Sequence, residues 1–178
     1  NSFAGMPASL ITMEYDSQVI KRATPLMEYM RQPAWFILVA MCSFFLMLVL
    51  FGVNPWVGIV SALAYGLSTY FFIIIGVGHI TKMIALAYAP LMIGAVFYAL
   101  RRNMWLGSAL AALFASVEIA ANHPQITYYF AFIIAALWIN ELVRAVKNKL
   151  LPDLAKRTGL LVIAALLAFG SNFAPLWY

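Results

Sequence analysis

Charged side chains are scarce in this sequence of 178 residues: aspartate, glutamate, lysine and arginine make up 10% of it, against about 25% in soluble domains. There is a single cysteine, Cys42, so a disulfide within the chain is excluded. No P-loop, GxGxxG, HExxH or CxxC motif occurs. Hydrophobic residues instead reach 65%, with a mean hydropathy of +0.93. This composition excludes a soluble globular enzyme, a disordered chain and a disulfide scaffold, and it indicates a polytopic membrane protein.

Long apolar stretches dominate the chain, and a helix needs about 20 apolar residues to cross a bilayer. Six stretches reach or approach that length: 34–52, 55–75, 80–100, 104–121, 124–143 and 159–175. They are continuous rather than alternating, which argues against barrel strands. The predicted fold class is therefore all-α, a polytopic transmembrane helical bundle with about six spans over residues 34–178.

Residues 1–33 are too polar to cross a membrane and are interrupted by prolines. We expect them to form an external loop segment with interfacial helices. The chain begins at Asn1 rather than a methionine and ends at Tyr178, directly after an apolar run. We therefore expect it to be an internal part of a longer polypeptide.

The basic residues are distributed unevenly between the two sides that six alternating spans create. One side would hold seven of them: Arg101, Arg102, Arg144, Lys147, Lys149, Lys156 and Arg157. On the other side, acidic residues largely offset the basic ones. Because basic loops stay in the cytoplasm, the first side is predicted to be cytoplasmic and both chain ends external. The net charge of +5 is thus read as a topology signal, and no nucleic acid partner is expected.

Polar residues gather at the predicted external ends of the spans, where they are functional candidates. In the turn at 76–82, His79 and Lys82 lie three residues apart and share a helix face. Lys82 could bind a phosphate through charge-assisted hydrogen bonds, and His79 could donate to the same phosphate. The alternative is a lysine that extends to the interface and a histidine that caps a helix.

A second turn carries Glu118, Asn122, His123, Gln125 and Tyr128. The helical spacing places Glu118 and Asn122 on one face, and Gln125 and Tyr128 on one face of the next helix. The alternative is a polar turn whose groups satisfy one another. Glu118 would be costly if unpaired within a span, and pairing with Lys82 would offset that cost.

A third cluster, Glu14 and Asp16, lies in the predicted external loop. Two carboxylates at this spacing can bind a metal or supply a base. The commoner explanation of such a pair is a solvated loop.

Several strings of this sequence, found together in this order, resemble the bacterial YfhO-like membrane proteins. They are FAGMP (3–7), GVNPW (52–56), GHITK (78–82), AYAP (87–90) and ANHPQITYY (121–129). The resemblance implies a fold like that of the GT-C glycosyltransferases, in the bacterial cytoplasmic (inner) membrane. It also implies transfer of a sugar from a polyprenyl-phosphate donor to a cell-envelope acceptor on the outer face.

The resemblance assigns roles to residues of this chain by position. His79 and Lys82 would contact the donor phosphate. Other members of the site would line the same cavity: Asn122, His123, Gln125 and Tyr128. The catalytic acid would lie upstream of Asn1. Neither Glu14 nor Asp16 matches a motif of the family, so neither is assigned as that acid. No cofactor is certain, although a divalent metal would suit the departure of polyprenyl phosphate.

Two other classes of function remain open on the sequence. A non-catalytic membrane subunit or scaffold would use the polar turns to pack against partner membrane proteins. A transporter or flippase for a lipid-linked substrate would have broken helices near the membrane midplane. The polar residues here lie instead near one face, which argues against this class. The expected partners are the lipid bilayer, a polyprenyl-phosphate-linked sugar and other membrane proteins.

Overall fold

The computed structural model of the protein describes residues 34–173, and in this part of the chain all regular structure is helical. The helical segments are α1 (Ala34–Phe51), α2 (Pro55–Gly66), α3 (Thr69–Gly76), α4 (Ile80–Arg101), α5 (Met104–Ala120), α6 (Pro124–Lys147) and α7 (Leu151–Ser171). The predicted all-α helical bundle is confirmed. The predicted external loop at 1–33 lies outside the described residues.

Five helices of the described chain are long and apolar enough to cross a membrane. They are α1, the pair α2–α3 counted as one span, α4, α6 and α7. Helix α5 is also apolar but has 17 residues, which corresponds to about 25 Å. The chain therefore has the helices of a multi-pass membrane protein, whereas the GT-C-like arrangement stays a prediction.

Asparagine side chains cap the N-termini of two helices, α2 and α5. The Asn54 side-chain oxygen accepts a hydrogen bond from the Trp56 backbone N–H at 2.9 Å, and Pro55 occupies the first turn of α2. The Asn103 side chain accepts from the backbone N–H groups of Trp105 and Leu106, both at 3.0 Å. These caps satisfy N–H groups that a helix start leaves unpaired.

The predicted basic connector between the last two spans is mostly helical. Helix α6 continues to Lys147 and α7 begins at Leu151, rather than near residue 159. Lys149 has a φ of 58°, and this left-handed residue lies in the short turn between the two helices. Hydropathy locates the part of a helix in lipid, so a helix that extends beyond the lipid is longer than the apolar run.

The span predicted at 55–75 is broken into α2 and α3. Ser68 is in an extended conformation, with φ −62° and ψ 138°. The hydrophobic run continues through this point, so hydropathy does not mark the break. Gly66, at the end of α2, lies against Met41 and the Ile37 carbonyl oxygen of α1, where a side chain would collide.

Helix α4 is the centre of the bundle and packs against α1, α5 and α6. Small side chains let the neighbouring helices approach it closely. Five of its alanines have no exposed surface: Ala85, Ala87, Ala89, Ala95 and Ala99. The closest approach is at Gly107 of α5, where a Cβ atom would overlap the Ala99 backbone.

Pro90 lies inside α4 and leaves the carbonyl group of Leu86 without its helical N–H partner. The Tyr65 hydroxyl of α2 donates a hydrogen bond to this Leu86 oxygen at 2.9 Å. The Ser43 hydroxyl of α1 donates to the next carbonyl, that of Ala87. Side chains from two neighbouring helices thus satisfy the backbone that the proline disturbs, as an apolar surrounding requires.

Basic residues meet at the end of the bundle shared by the carboxyl ends of α4 and α6 and the start of α7. Buried Glu141 forms ion pairs with Arg101 and, at 3.1 Å, with Arg144. Arg157 pairs with Asp153 at 2.7 Å. Arg157 also donates to the Ala99 carbonyl oxygen at 2.7 Å, so it supplies a cation where the α4 carbonyl groups end.

We predict that Tyr65→Phe lowers the free energy of unfolding by about 1 kcal/mol, because the Leu86 carbonyl group loses its donor inside the bundle. Pro90→Ala restores a backbone N–H to that carbonyl group. In the Pro90→Ala background, Tyr65→Phe should therefore cost much less. Unfolding in mixed micelles of increasing dodecyl sulfate measures all four proteins. Equal costs in the two backgrounds would contradict this role of Tyr65.

Gly107→Ala should destabilise the protein by about 1–3 kcal/mol, because the new methyl group must push α5 away from α4. Gly159→Ala is the matched control, since no atom lies within 4 Å of the added Cβ. There the better helix propensity of alanine should leave stability unchanged or raise it by up to about 1 kcal/mol. The same unfolding measurement compares the two, and similar effects at both positions would contradict the close approach.

Candidate functional site

Two polar turns lie next to each other at the end of the bundle opposite the basic residues. One joins α3 to α4 and the other joins α5 to α6. Ala85, near the start of α4, packs with Ala121 and Ile126 of the second turn in one buried apolar cluster. The chain segments that the sequence singled out separately are thus neighbours in the structure.

The turn between α3 and α4 is formed around Gly78, whose φ is +85°. The next residue, His79, donates its backbone N–H to the Ile74 carbonyl oxygen at 2.9 Å. The imidazole of His79 is exposed and forms no capping hydrogen bond at the start of α4. His79 is therefore accessible from outside the bundle.

Lys82 is half-buried, and its Nζ lies 5.2 Å from the ring centroid of Tyr70 on α3. This is the distance of a cation–π contact. Among residues 34–173 the ion pairs include neither Lys82 nor Glu118. The suggested pairing of Lys82 with Glu118 is absent from this part of the chain. The sequence analysis did not single out Tyr70, because nothing in the local pattern marks one aromatic residue of an apolar helix as a lysine partner.

Glu118 is fully buried in the last turn of α5, next to the turn that leads into α6. Its Oε1 accepts a hydrogen bond from the Thr127 hydroxyl at 3.0 Å. Its Oε2 and the Nδ1 of His123 are both buried and have no hydrogen-bond partner among the described residues. Asn122 adopts a left-handed φ of 52°, which brings the chain from α5 into α6.

The remaining predicted site residues lie on the exposed side of the first turns of α6. Gln125 donates to the Tyr129 hydroxyl oxygen at 2.9 Å. The Tyr128 ring lies edge-on to Phe132, with centroids 4.7 Å apart. Both Gln125 and Tyr128 are exposed.

The six predicted binding residues thus share one end of the bundle without contacting one another through side-chain hydrogen bonds or ion pairs in the described structure. They are His79, Lys82, Asn122, His123, Gln125 and Tyr128. Thr127 donates a hydrogen bond to Glu118, and the Tyr70 ring makes a cation–π contact with Lys82. Neither was among the predicted residues, although Thr127 stands nine positions after Glu118 at the start of the next helix.

An apolar groove of about 370 Å³ begins beneath these turns and extends toward the basic end. Its walls come from α1, α2, α4 and α6: Phe44, Met47, Phe51, Tyr65, Leu86, Pro90, Ile93, Phe130, Ile133 and Leu137. On α4 and α6 the lining residues span two helical turns, or about 10 Å. Sequence reasoning missed the groove because four helices, distant along the chain, contribute to it.

The outer end of the groove meets the polar turns. Leu86 and Phe130 line the groove and also pack against the cluster of Ala85, Ala121 and Ile126. Leu86 follows Lys82 by one helical turn on the same face of α4. Lys82 therefore lies one helical turn from the outer end of the groove, at the same end of the bundle as two imidazoles and two amides.

Within residues 34–173, no three or more histidine, cysteine, aspartate or glutamate side chains are grouped so that they could hold a metal ion. The acidic pair Glu14 and Asp16 lies outside the described residues. The divalent metal stays a prediction.

Comparison with protein-family models, with curated proteins and with solved structures finds no match to this chain. The resemblance to YfhO-like proteins therefore stays a prediction.

Proposed function

We propose that this protein is an integral membrane glycosyltransferase-like enzyme of the bacterial cytoplasmic membrane. It transfers a sugar from a polyprenyl-phosphate donor to a cell-envelope acceptor on the outer face. The observation that carries the proposal is the apolar groove that opens beneath the polar turns. A ligand with a charged head and a long apolar tail suits this arrangement, and the sequence resemblance supplies the transfer reaction.

The donor phosphate would bind near Lys82. Its ammonium group lies over the Tyr70 ring, a contact worth about 0.5–2 kcal/mol. Hydrogen bonds between an ammonium group and a phosphate are charge-assisted and stronger than neutral ones. A phosphate can therefore compete for Lys82. His79 and His123 are the further donors at this end.

The polyprenyl tail would occupy the groove between α1, α4 and α6. Removing its apolar surface from water or headgroups contributes about 25 cal/mol per Å². The polar turns would then fix the head at the membrane boundary, and the groove would fix the first isoprene units.

The orientation follows from the distribution of charge. Arg101, Arg144 and Arg157 lie at one end of the bundle, and basic ends face the cytoplasm. The polar turns then face the outside, where a lipid-linked donor presents its sugar to envelope acceptors.

In the reaction, an acceptor hydroxyl oxygen bonds to the anomeric carbon while the bond from that carbon to the phosphate oxygen breaks. A carboxylate base takes the hydroxyl proton, and polyprenyl phosphate leaves with the electron pair. Lys82 and the histidines would stabilise the charge on the leaving group. The base is expected outside the residues that the structure describes.

A second candidate function is translocation of a lipid-linked substrate, and the broken span favours it. Helix α2 has 12 residues and α3 has 8, about 18 Å and 12 Å. The break between them therefore lies within the membrane. Broken spans of this kind form substrate sites in transporters.

We expect Lys82→Ala to raise the donor KM or lower kcat by about 10- to 100-fold, because it removes a charged partner of the phosphate. Sugar transfer is measured with the purified protein in liposomes containing the polyprenyl-phosphate sugar. Lys156→Ala, at the opposite end, is the control and should leave transfer unchanged. Normal turnover of Lys82→Ala would remove Lys82 from the site. Movement of the labelled donor between leaflets without any transfer would favour translocation.

Filling the groove should discriminate between donors by tail length. Ile133→Trp adds bulk to the groove wall and should weaken binding of long-chain donors severalfold, with little effect on a donor that has a truncated tail. Ile139→Trp is the control, since Ile139 is exposed on α6 and does not line the groove. The affinities of the long-chain and truncated donors are measured for both detergent-solubilised variants. Equal loss for short and long tails would argue against a tail site here.

A further inference from the structure

Two buried glutamates of this protein have opposite surroundings. Glu141 is 6% exposed and its two oxygens pair with Arg101 and Arg144. Glu118 is 0% exposed and forms no ion pair within the described chain. One oxygen of Glu118 accepts a hydrogen bond from Thr127, and the other has no partner there.

An ionised carboxylate without a counter-charge is expensive inside a membrane protein. A neutral carboxylic acid avoids that cost and needs only hydrogen bonds. We propose that Glu118 is a proton-binding site within the membrane, and that its proton exchanges with outer water through His123.

The groups at this end include one cation, Lys82, and it forms no ion pair with Glu118. At this end α4 and the residue before it bring Lys82, Tyr88 and His79, and the α6 side brings His123, Tyr128 and Tyr129. Of these, Lys82 is held over the Tyr70 ring. Helix α7 brings Ser171 and Asn172, which bond to Ser116 and do not titrate. The other charged groups of the described α4, α6 and α7 lie toward the basic end.

A proton suits this site better than a metal ion. Within the described residues Glu118 belongs to no group of three metal-binding side chains. Its one polar side-chain contact is the Thr127 hydroxyl, and metal ions such as Ca²⁺ take six or more oxygen ligands.

His123 provides the route to water. The residue is half-buried, and its Nδ1 is buried without a partner. Its backbone carbonyl oxygen lies 3.4 Å from the Thr127 hydroxyl that contacts Glu118. An imidazole can accept a proton on one nitrogen and release one from the other. His123 thus lies at the boundary between the buried carboxyl group and the outside.

The first test compares Glu118→Gln with Glu141→Gln in the detergent-solubilised protein. If Glu118 is already neutral, Glu118→Gln removes no charge and should leave the melting temperature unchanged. Glu141→Gln leaves two arginines without their carboxylate and should lower the melting temperature. A comparable drop for both variants would overturn the proposal, because it would mean that Glu118 is ionised and paired.

Infrared difference spectra at neutral pH provide an independent test. Subtracting Glu118→Gln from the wild type should show the carbonyl stretch of a protonated carboxylic acid, which shifts in D₂O. The Glu141→Gln spectrum should instead show loss of carboxylate bands. Carboxylate bands for Glu118, from an ion pair or from bound Na⁺, would overturn the proposal.

The rate at which the Glu118 carbonyl band shifts in D₂O tests whether the proton exchanges through His123. His123→Leu should slow the shift of the Glu118 band severalfold, whereas Gln125→Leu in the same turn should not. Equal rates in the two variants would exclude His123 as the path. None of these measurements requires the donor, so their failure is distinguishable from failure of the proposed transferase activity.

Discussion

The bundle depends on one requirement: a carbonyl group inside it must find a donor, because lipid supplies none. Pro90, inside α4, leaves the Leu86 carbonyl group without a backbone donor, and the Tyr65 hydroxyl donates a hydrogen bond to that oxygen instead. That hydrogen bond also ties α2 to α4. Because Tyr65 and Pro90 both line the groove, the shape of the groove follows from the way in which the proline is accommodated.

The buried glutamate at one end of the bundle is paired with arginines, whereas the buried glutamate at the other end has no ionic partner in the described structure. At one end, arginines neutralise Glu141 and cap the last turn of α4. Their contacts join α4, α6 and α7, so this end holds the helices together. At the other end, Glu118 and His123 keep unpartnered polar atoms within the described structure. Unsatisfied buried groups cost stability, and a membrane protein that retains them is expected to use them.

Hydropathy was sufficient to predict the helical class and the approximate spans, because lipid demands long apolar helices. The asparagine and proline pairs likewise marked the turns before α2 and α6. The break after Gly66 was not predictable, since apolar residues continue on both sides of Ser68. The contact between Lys82 and the Tyr70 ring was not predictable from the sequence either. Sequence spacing placed Lys82 and Glu118 at the same end, but whether Lys82 points toward α3 or α5 is decided by packing.

Contacts between aromatic rings connect the polar turns to the centre of the bundle. Lys82 rests on Tyr70, whose ring neighbours Phe71 at 6.4 Å, and Phe71 meets Tyr65 edge-on at 5.0 Å. Tyr65 holds the Leu86 carbonyl group. A phosphate that draws Lys82 away from Tyr70 therefore acts on contacts that end at the disturbed turn of α4. Phe71 and Ile74 of α3 are buried in one cluster with Met83 and Ala87 of α4, so a displacement of α3 would be felt by both α2 and α4. Such a connection between the polar turns and the groove would serve either of the two proposed functions, transfer or translocation.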